Sequence, residues 1–170
     1  MLVRHAHAKV QAATVTDFER PLSRRGKAEA KATALSLLEE GTVPELLIAS
    51  PARRTQQTAE IFARELQIPE RHVRLDEVMY LAPPDTILKV IHGCGPRIER
   101  LMIIGHNPGI SALANALAPR AKFGDFETGA ACIIDFNVRT WSAVTVGCAE
   151  SAQRKGGAAR LFGLFKPKRS

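Results

Sequence analysis

The stretch Leu101-Met102-Ile103-Ile104-Gly105-His106-Asn107-Pro108-Gly109 decides the fold of this chain. Its first five residues carry no charge, and four are large and apolar. Such a run reads as a strand buried on both faces, the pattern of a parallel sheet covered by helices. A histidine follows, then Asn107-Pro108, which reads as an N-cap and a first helical proline before a helix over Ile110–Leu117. Strand, polar turn, helix is the unit of an α/β fold.

The same unit recurs upstream. Leu46–Ala49 reads as a second strand, and Ser50-Pro51 starts a helix to about Leu66. Leu2-Val3 reads as the end of a first strand that runs straight into Arg4-His5-Ala6-His7. Ser23 to Glu40 reads as a helix with Ala28, Ala32, Leu35 and Leu38 on one face and Gly41 as its stop. Asp85 to His92 reads as a further helix. Ala131–Phe136 and Trp141–Val146 read as two late strands, joined through Asn137–Thr140 as a hairpin.

Three strand exits then carry the polar residues. They are Arg4-His5, Ser50-Pro51 with Arg53 and Arg54 one turn on, and His106-Asn107-Pro108. Ligands of open α/β sheets sit beyond the carboxyl ends of the strands. If the strands are parallel neighbours, Arg4, His5, Arg54 and His106 converge there, beside helix N-termini. Two arginines, two histidines and free helix N–H groups make an anion site, most naturally for phosphate.

The composition limits the alternatives. At 170 residues with 45% hydrophobic and 24% charged, the chain is expected to be one domain with a proper core. No apolar run reaches membrane-spanning length. With three residues before Arg4, no export signal is expected. The three cysteines, Cys94, Cys132 and Cys148, form no C-x-x-C pair, so a cytoplasmic protein with reduced thiols is expected. The net charge of +7 is concentrated in residues 151–170, where Arg154, Lys155, Arg160, Lys166, Lys168 and Arg169 face no acid and leave the rest at +1. Residues 1–150 are expected as the folded domain and 151–170 as a basic, partly disordered tail. The tail holds a short apolar patch, Leu161–Phe165, and could dock on an acidic partner. Nucleic acid is not the expected partner of the near-neutral domain.

Two other chemistries are weighed and set aside. His5-Ala6-His7 has the spacing of a metal-binding pair. The barrel hydrolases that use it need roughly 250 residues and further acidic ligands, and Arg4 opposes a dication. Cys94 to Arg100 matches the C-x5-R spacing of a cysteine-phosphatase loop. Pro96 removes an amide there, Glu99 adds a negative charge, and Leu101 opens a strand instead of a helix.

Taken in order, Arg4-His5-Ala6, Arg20-Pro21-Leu22-Ser23-Arg24-Arg25-Gly26, Ser50–Thr58, Gly105–Gly109 and Thr128-Gly129-Ala130 resemble the histidine phosphatase superfamily, also called phosphoglycerate mutase-like. Among its branches they are most similar to the SixA-like phosphohistidine phosphatases. The resemblance spans roughly residues 1–148. It implies a three-layer α/β/α sandwich with a mostly parallel central sheet. It also implies His5 as nucleophile, Arg4, Arg54 and His106 as phosphate ligands, and a phosphohistidine-bearing signalling domain as partner. Arg20 and Asn107 are further candidates for substrate binding. The family's R-H-G reads R-H-A here, and the first strand is short. Larger members carry an acidic proton donor; here the candidates are Asp76, Asp85 and, first among them, Glu77.

The expected mechanism is in-line attack of neutral His5 on phosphorus, then hydrolysis of the phosphohistidine enzyme by water, with no cofactor and no metal. Arg4, Arg54 and a protonated His106 would hold the equatorial oxygens. Weak acid candidates favour an imidazole leaving group. A general phosphomonoesterase acting on small esters or other phosphoproteins is the alternative.

Overall fold

A computed structural model of the chain describes residues 1–11, 13–147, 161–165 and 167. Four parallel strands, β1 (Leu2–Arg4), β2 (Leu46–Ala49), β3 (Val73–Leu75) and β4 (Leu101–Gly105), form most of one sheet. Two antiparallel additions, β5 (Ala131–Ile134) and β6 (Leu161–Phe165), complete the order β3-β2-β4-β1-β5-β6. Period-two alternation divides the apolar side chains between two cores. On one face Val3, Leu47, Met102 and Ile104 pack under α1 (Arg24–Glu39) and α2 (Arg53–Glu65). On the other, Leu2, Ile48, Leu101 and Ile103 pack under α3 (Pro84–His92) and α4 (Gly109–Leu117). All five residues of β4 are buried, as its uncharged sequence requires of a strand covered on both sides. The result is the expected three-layer α/β/α sandwich.

Several details differ from the sequence reading. Trp141–Val146 is not a strand: Trp141–Ala143 forms a short 3-10 helix. The Trp141 indole N–H donates to Ile98 O, and His92 Nε2 lies 2.7 Å from Val144 O, so this segment is pinned beneath α3. The edge of β5 is taken instead by Leu161–Phe165. The apolar patch of the tail is therefore a sheet strand. The six tail cations and Cys148 lie outside the described residues. The edge strand β3 has no counterpart in the sequence reading, because Val73-Arg74-Leu75 is short and half polar.

The α1 face is also rotated. Ala28 is exposed, and Leu35 and Leu38 are more than a third exposed, while Gly26, Glu29, Ala30, Thr33, Ala34 and Leu37 are buried. Close approach at the helix start explains this. A Cβ on Gly26 would stand 2.0 Å from His7 O, so only glycine lets α1 sit on the backbone just past β1. Ser50 is not the N-cap of α2, whose cap position is Ala52. Likewise Pro108, after a cis Asn107–Pro108 bond, holds the cap position of α4.

Candidate active site

Strand register places the three polar exits side by side. Arg4 pairs with Gly105 and Ala49 with Ile104, with β4 between β1 and β2. The next backbone bonds, His5 N to Gly105 O at 3.0 Å and Ser50 N to Ile104 O at 3.2 Å, carry the alignment one residue further. His5, Ser50 and His106 therefore leave the sheet as neighbours, and Arg54 reaches them from the first turn of α2.

His5 is held in one tautomer. Its Nδ1 lies 2.8 Å from Ala6 O, which can only accept, so Nδ1 carries the proton. The Nε2 lone pair then faces outward and accepts from Arg54 Nε at 3.2 Å. Burial, reinforced by the charges of Arg54, Arg4 and Arg20, outweighs the Ala6 bond and lowers the pKa of His5 to about 4. His5 is a neutral base at pH 7.

His106 stands edge-on to His5, ring centres 5.1 Å apart. Its Nδ1 faces Arg54 Nη2 at 3.3 Å, and its Nε2 lies 2.8 Å from Ser50 Oγ and 3.4 Å from Thr55 Oγ1. Nδ1 thus accepts from arginine, and Nε2–H donates to Ser50. Burial, then His5 and Arg54, lower its pKa to about 3. The expected cationic His106 is corrected on this point: buried against an arginine and a second imidazole, the ring is neutral here. It can become a donor to an oxyanion through Nδ1 only by taking up a proton.

Arg54 is 2% exposed and Arg53 is exposed, so Arg54 is the arginine of the site. Besides the two histidines, it donates through Nη1 to the backbone O of Asp17 and through Nη2 to Asp17 Oδ2 at 2.9 Å. Arg4 Nη1 donates to Phe126 O at 2.6 Å, while its buried Nε has no acceptor among the described residues. A buried guanidinium N–H without a partner is costly, and an anion bound beside it would satisfy it.

The other candidates have different places. Arg20 grips Asp17 Oδ1 through Nε at 3.0 Å and Nη2 at 2.9 Å, so it supports Arg54 through Asp17. Asn107 braces the loop, donating to Phe126 O and accepting from Ser111 Oγ at 2.7 Å. Glu77 is exposed at the start of a 3-10 helix over Glu77–Met79, Asp76 caps that turn and pairs with Arg74, and Asp85 is exposed on α3. None of these three carboxylates is hydrogen-bonded to Arg4, His5, Arg54 or His106. His7 turns away from His5, with Nδ1 on Ser23 Oγ at 2.8 Å, so the H-x-H rings diverge. Cys94 is no phosphate-loop thiol: burial raises its pKa, and Arg100 pairs with Glu45.

Three contributors are absent from the sequence reading, and a fourth, Ser50, stands there only as a strand exit and helix cap. Asp17 ties Arg54 to Arg20 and accepts from Tyr80 Oη at 3.1 Å. Partial burial would raise its carboxyl pKa, but Arg54, with Tyr80 and Arg20, outweighs this and holds it below the usual value. Tyr80 packs edge-on against His106 and Phe18. Arg54, which can only donate, fixes the His106 tautomer, and Ser50 accepts from the Nε2–H that this leaves. Buried Glu29 staples the site from below, accepting from His7 N at 3.0 Å, Thr128 Oγ1 at 2.9 Å and Arg25 Nε at 2.6 Å. The first two of these, Asp17 and Tyr80, are sixty-odd residues apart, and only the fold joins them.

The two depressed histidines make stability pH-dependent. Each is neutral when folded and titrates near 6.5 when unfolded, so below that pH the unfolded chain binds more protons. Their contribution is complete above about pH 6.5 and is lost as pH falls toward 4 for His5 and 3 for His106. At about 1.4 kcal/mol per pKa unit, the loss by pH 4 is on the order of 3 kcal/mol per histidine. Thermal melts should show Tm level from pH 8 to 6.5 and falling steeply below. A wild-type Tm unchanged down to pH 4 contradicts this account.

Residues 1–82 match the model of the histidine phosphatase superfamily (branch 1). An uncharacterised chloroplast protein of Arabidopsis thaliana is 30% identical over 126 residues, 69% of this chain and 58% of that protein. The chain thus spans less than two thirds of the length of the curated relatives it matches. Among solved structures, a protein assigned as the phosphohistidine phosphatase SixA of Agrobacterium tumefaciens is 29% identical, with a TM-score of 0.73 over 79% of this chain and 89% of that one. The protein histidine phosphatase SixA complexed with tungstate has the same fold, with a TM-score of 0.75 over 98% of this chain and 95% of that one at 20% identity. The match over residues 1–82 and the likeness to SixA structures support a SixA-like member of the histidine phosphatase superfamily.

Proposed function

We propose that the protein is a phosphatase that hydrolyses phosphohistidine on a signalling protein through a phosphohistidine enzyme intermediate. One observation carries the choice of substrate. Among the described residues, the carboxylate hydrogen-bonded to the four-residue centre is Asp17, and two arginines and a tyrosine hold it ionised. An alkoxide leaving group needs a proton at the moment of P–O cleavage, and an ionised Asp17 has none to give. An imidazole protonated on its distal nitrogen takes the P–N electron pair and departs neutral, with no donor required.

The His5 Nε2 lone pair forms the new P–N bond as the substrate's P–N bond breaks. Arg54 and Arg4 stabilise the equatorial oxygens, with the Arg4 Nε–H among the donors. His106 joins them once the phosphoryl charge draws a proton onto Nδ1. Water attacks the phosphohistidine in the second step and returns His5 to its neutral form.

The test is phosphate release from a phosphohistidine-bearing four-helix domain, a phosphoserine peptide and an aryl phosphate, all in excess chelator. Release from phosphohistidine at least about a hundredfold faster is the expected result. Equal turnover of the three overturns the substrate reading in favour of a general phosphomonoesterase. Loss of activity on adding chelator overturns the metal-free mechanism.

A further inference from the structure

A cationic groove lies on the outer surface between α1 and α2. It encloses about 410 Å³ and is lined by Lys27, Ala28, Lys31, Gln57, Glu60, Ile61 and Arg64. On α1, Lys27 and Lys31 continue a stripe that starts at Arg24. On α2, Gln57, Ile61 and Arg64 continue one that starts at Arg53. Arg24, Lys27, Lys31, Arg53 and Arg64 are all exposed. Arg64 is shared with Glu65, but no ion pair engages Arg24, Lys27, Lys31 or Arg53 among the described residues. Glu60 is the one acid of the lining. Ala28 and Ile61 are the apolar residues of the lining.

The groove's position gives it meaning. The helical stripes that line it begin at the first turn of both helices. There Ser23, the cap of α1, holds His7, and Arg53 precedes Arg54 and donates its N–H to Phe18 O. Phe18 is 38% exposed and stacks edge-on against Tyr80, which touches His106. From Arg53 to Arg64 the track is about 16 Å long, at 1.5 Å per helical residue, or three turns.

We infer that this groove docks an acidic helix of the phosphoprotein substrate, the helix that carries the phosphohistidine. The inference rests on the phosphohistidine reading above. A phosphohistidine over His5 leaves the same helix running down the track. Acidic residues about four, seven and eleven positions along from it would fall on one face, against the two cationic stripes. Such rim charges steer encounter and fix register, and their effect weakens with salt.

The probes are two helical peptides of about seven turns, each with one phosphohistidine. One carries Glu at those three positions and the other Gln. For wild type at low salt, the Glu peptide should show a KM about tenfold lower than the Gln peptide, with equal kcat and a difference that shrinks at high salt. The double variant Lys27→Glu, Lys31→Glu should remove the preference and leave turnover of phosphoimidazole within about twofold. Both lysines are exposed and unpaired, so the fold is not at stake. Equal KM values for the two peptides in wild type overturn the inference, and so does a preference that survives in the double variant. The unphosphorylated Glu peptide, followed by fluorescence anisotropy, separates the two readings: if phosphohistidine is not hydrolysed but the peptide binds in a lysine-dependent way, the docking surface stands without the substrate. Tighter binding of a short single-stranded RNA than of that peptide assigns the groove to nucleic acid and overturns it.

Discussion

His5→Ala should lower kcat on a phosphohistidine substrate by on the order of 10⁴- to 10⁶-fold and leave a folded chain. The expected loss is large because the role is covalent, although His5 Nε2 and His106 Nδ1 both accept from Arg54 and it is the resemblance to the family that selects His5. His106 Nδ1 is turned to Arg54 and its Nε2–H to Ser50. The Nδ1–H of His5 on Ala6 O fixes which nitrogen attacks. The direct readout is a rapid-quench trap, in which wild type mixed with phosphohistidine substrate gives an acid-labile, base-stable phosphoenzyme that maps to His5. In His5→Ala the trap should be empty. A phosphoenzyme that persists in the variant, on His106 or elsewhere, removes His5 from the nucleophile's role. Folding is checked by melts at pH 7 and pH 5. Removing a buried, neutral-held imidazole should reduce the acid loss of Tm, because one of the two groups whose protonation favours unfolding is gone.

The centre was legible in the sequence to the extent that it is local. His5, Ser50 and His106 are each the first residue past a strand, and a strand exit is readable from an apolar run meeting a polar turn. Choosing Arg54 over Arg53 needed the motif's spacing, and burial agrees with it. What stayed hidden depends on tertiary contact. Asp17 lies in a loop without periodicity, and its weight comes from Arg20, Arg54 and Tyr80 meeting at one carboxylate. Glu77 was attractive as an acid near the right place in the chain. It is the neighbour that matters, because the turn it begins delivers Tyr80 to His106.

The fold divides in the same way. Uncharged β4 was unambiguous. Trp141–Val146 has good strand composition, but an edge is won by whichever segment pairs with it, and Leu161–Phe165 does. On α1 the stripe through Leu35 and Leu38 is as regular as the one through Ala30, Ala34 and Leu37. The close approach at Gly26 and the buried Glu29 decide between them. Neither contact leaves a periodic trace.

Arg54→Lys keeps the charge and removes the planar fork, which makes it the sharper probe of how the phosphoryl group is held. The guanidinium spends Nε on His5, Nη1 on the Asp17 carbonyl, and Nη2 on both Asp17 and His106. An ammonium on a flexible stem cannot span four acceptors in one plane. If the site needed only a positive charge, lysine would serve almost as well. If it needs N–H groups aimed where charge develops, kcat should fall roughly 10²- to 10³-fold, with a smaller change in KM. The same substitution frees the Asp17 carboxylate from its buried partner, so its pKa should rise toward the ordinary carboxylate value. At pH 5 that would leave at most about a tenth of Asp17 protonated, a small fraction of enzyme with a proton to donate. The second expectation is therefore a change of selectivity: Arg54→Lys should lose more activity on phosphohistidine than on an aryl phosphate, most visibly as pH falls toward 5. A variant within about threefold of wild type on phosphohistidine shows that charge alone suffices. A variant equally crippled on both substrates at every pH shows that Asp17 has no part in the choice of leaving group.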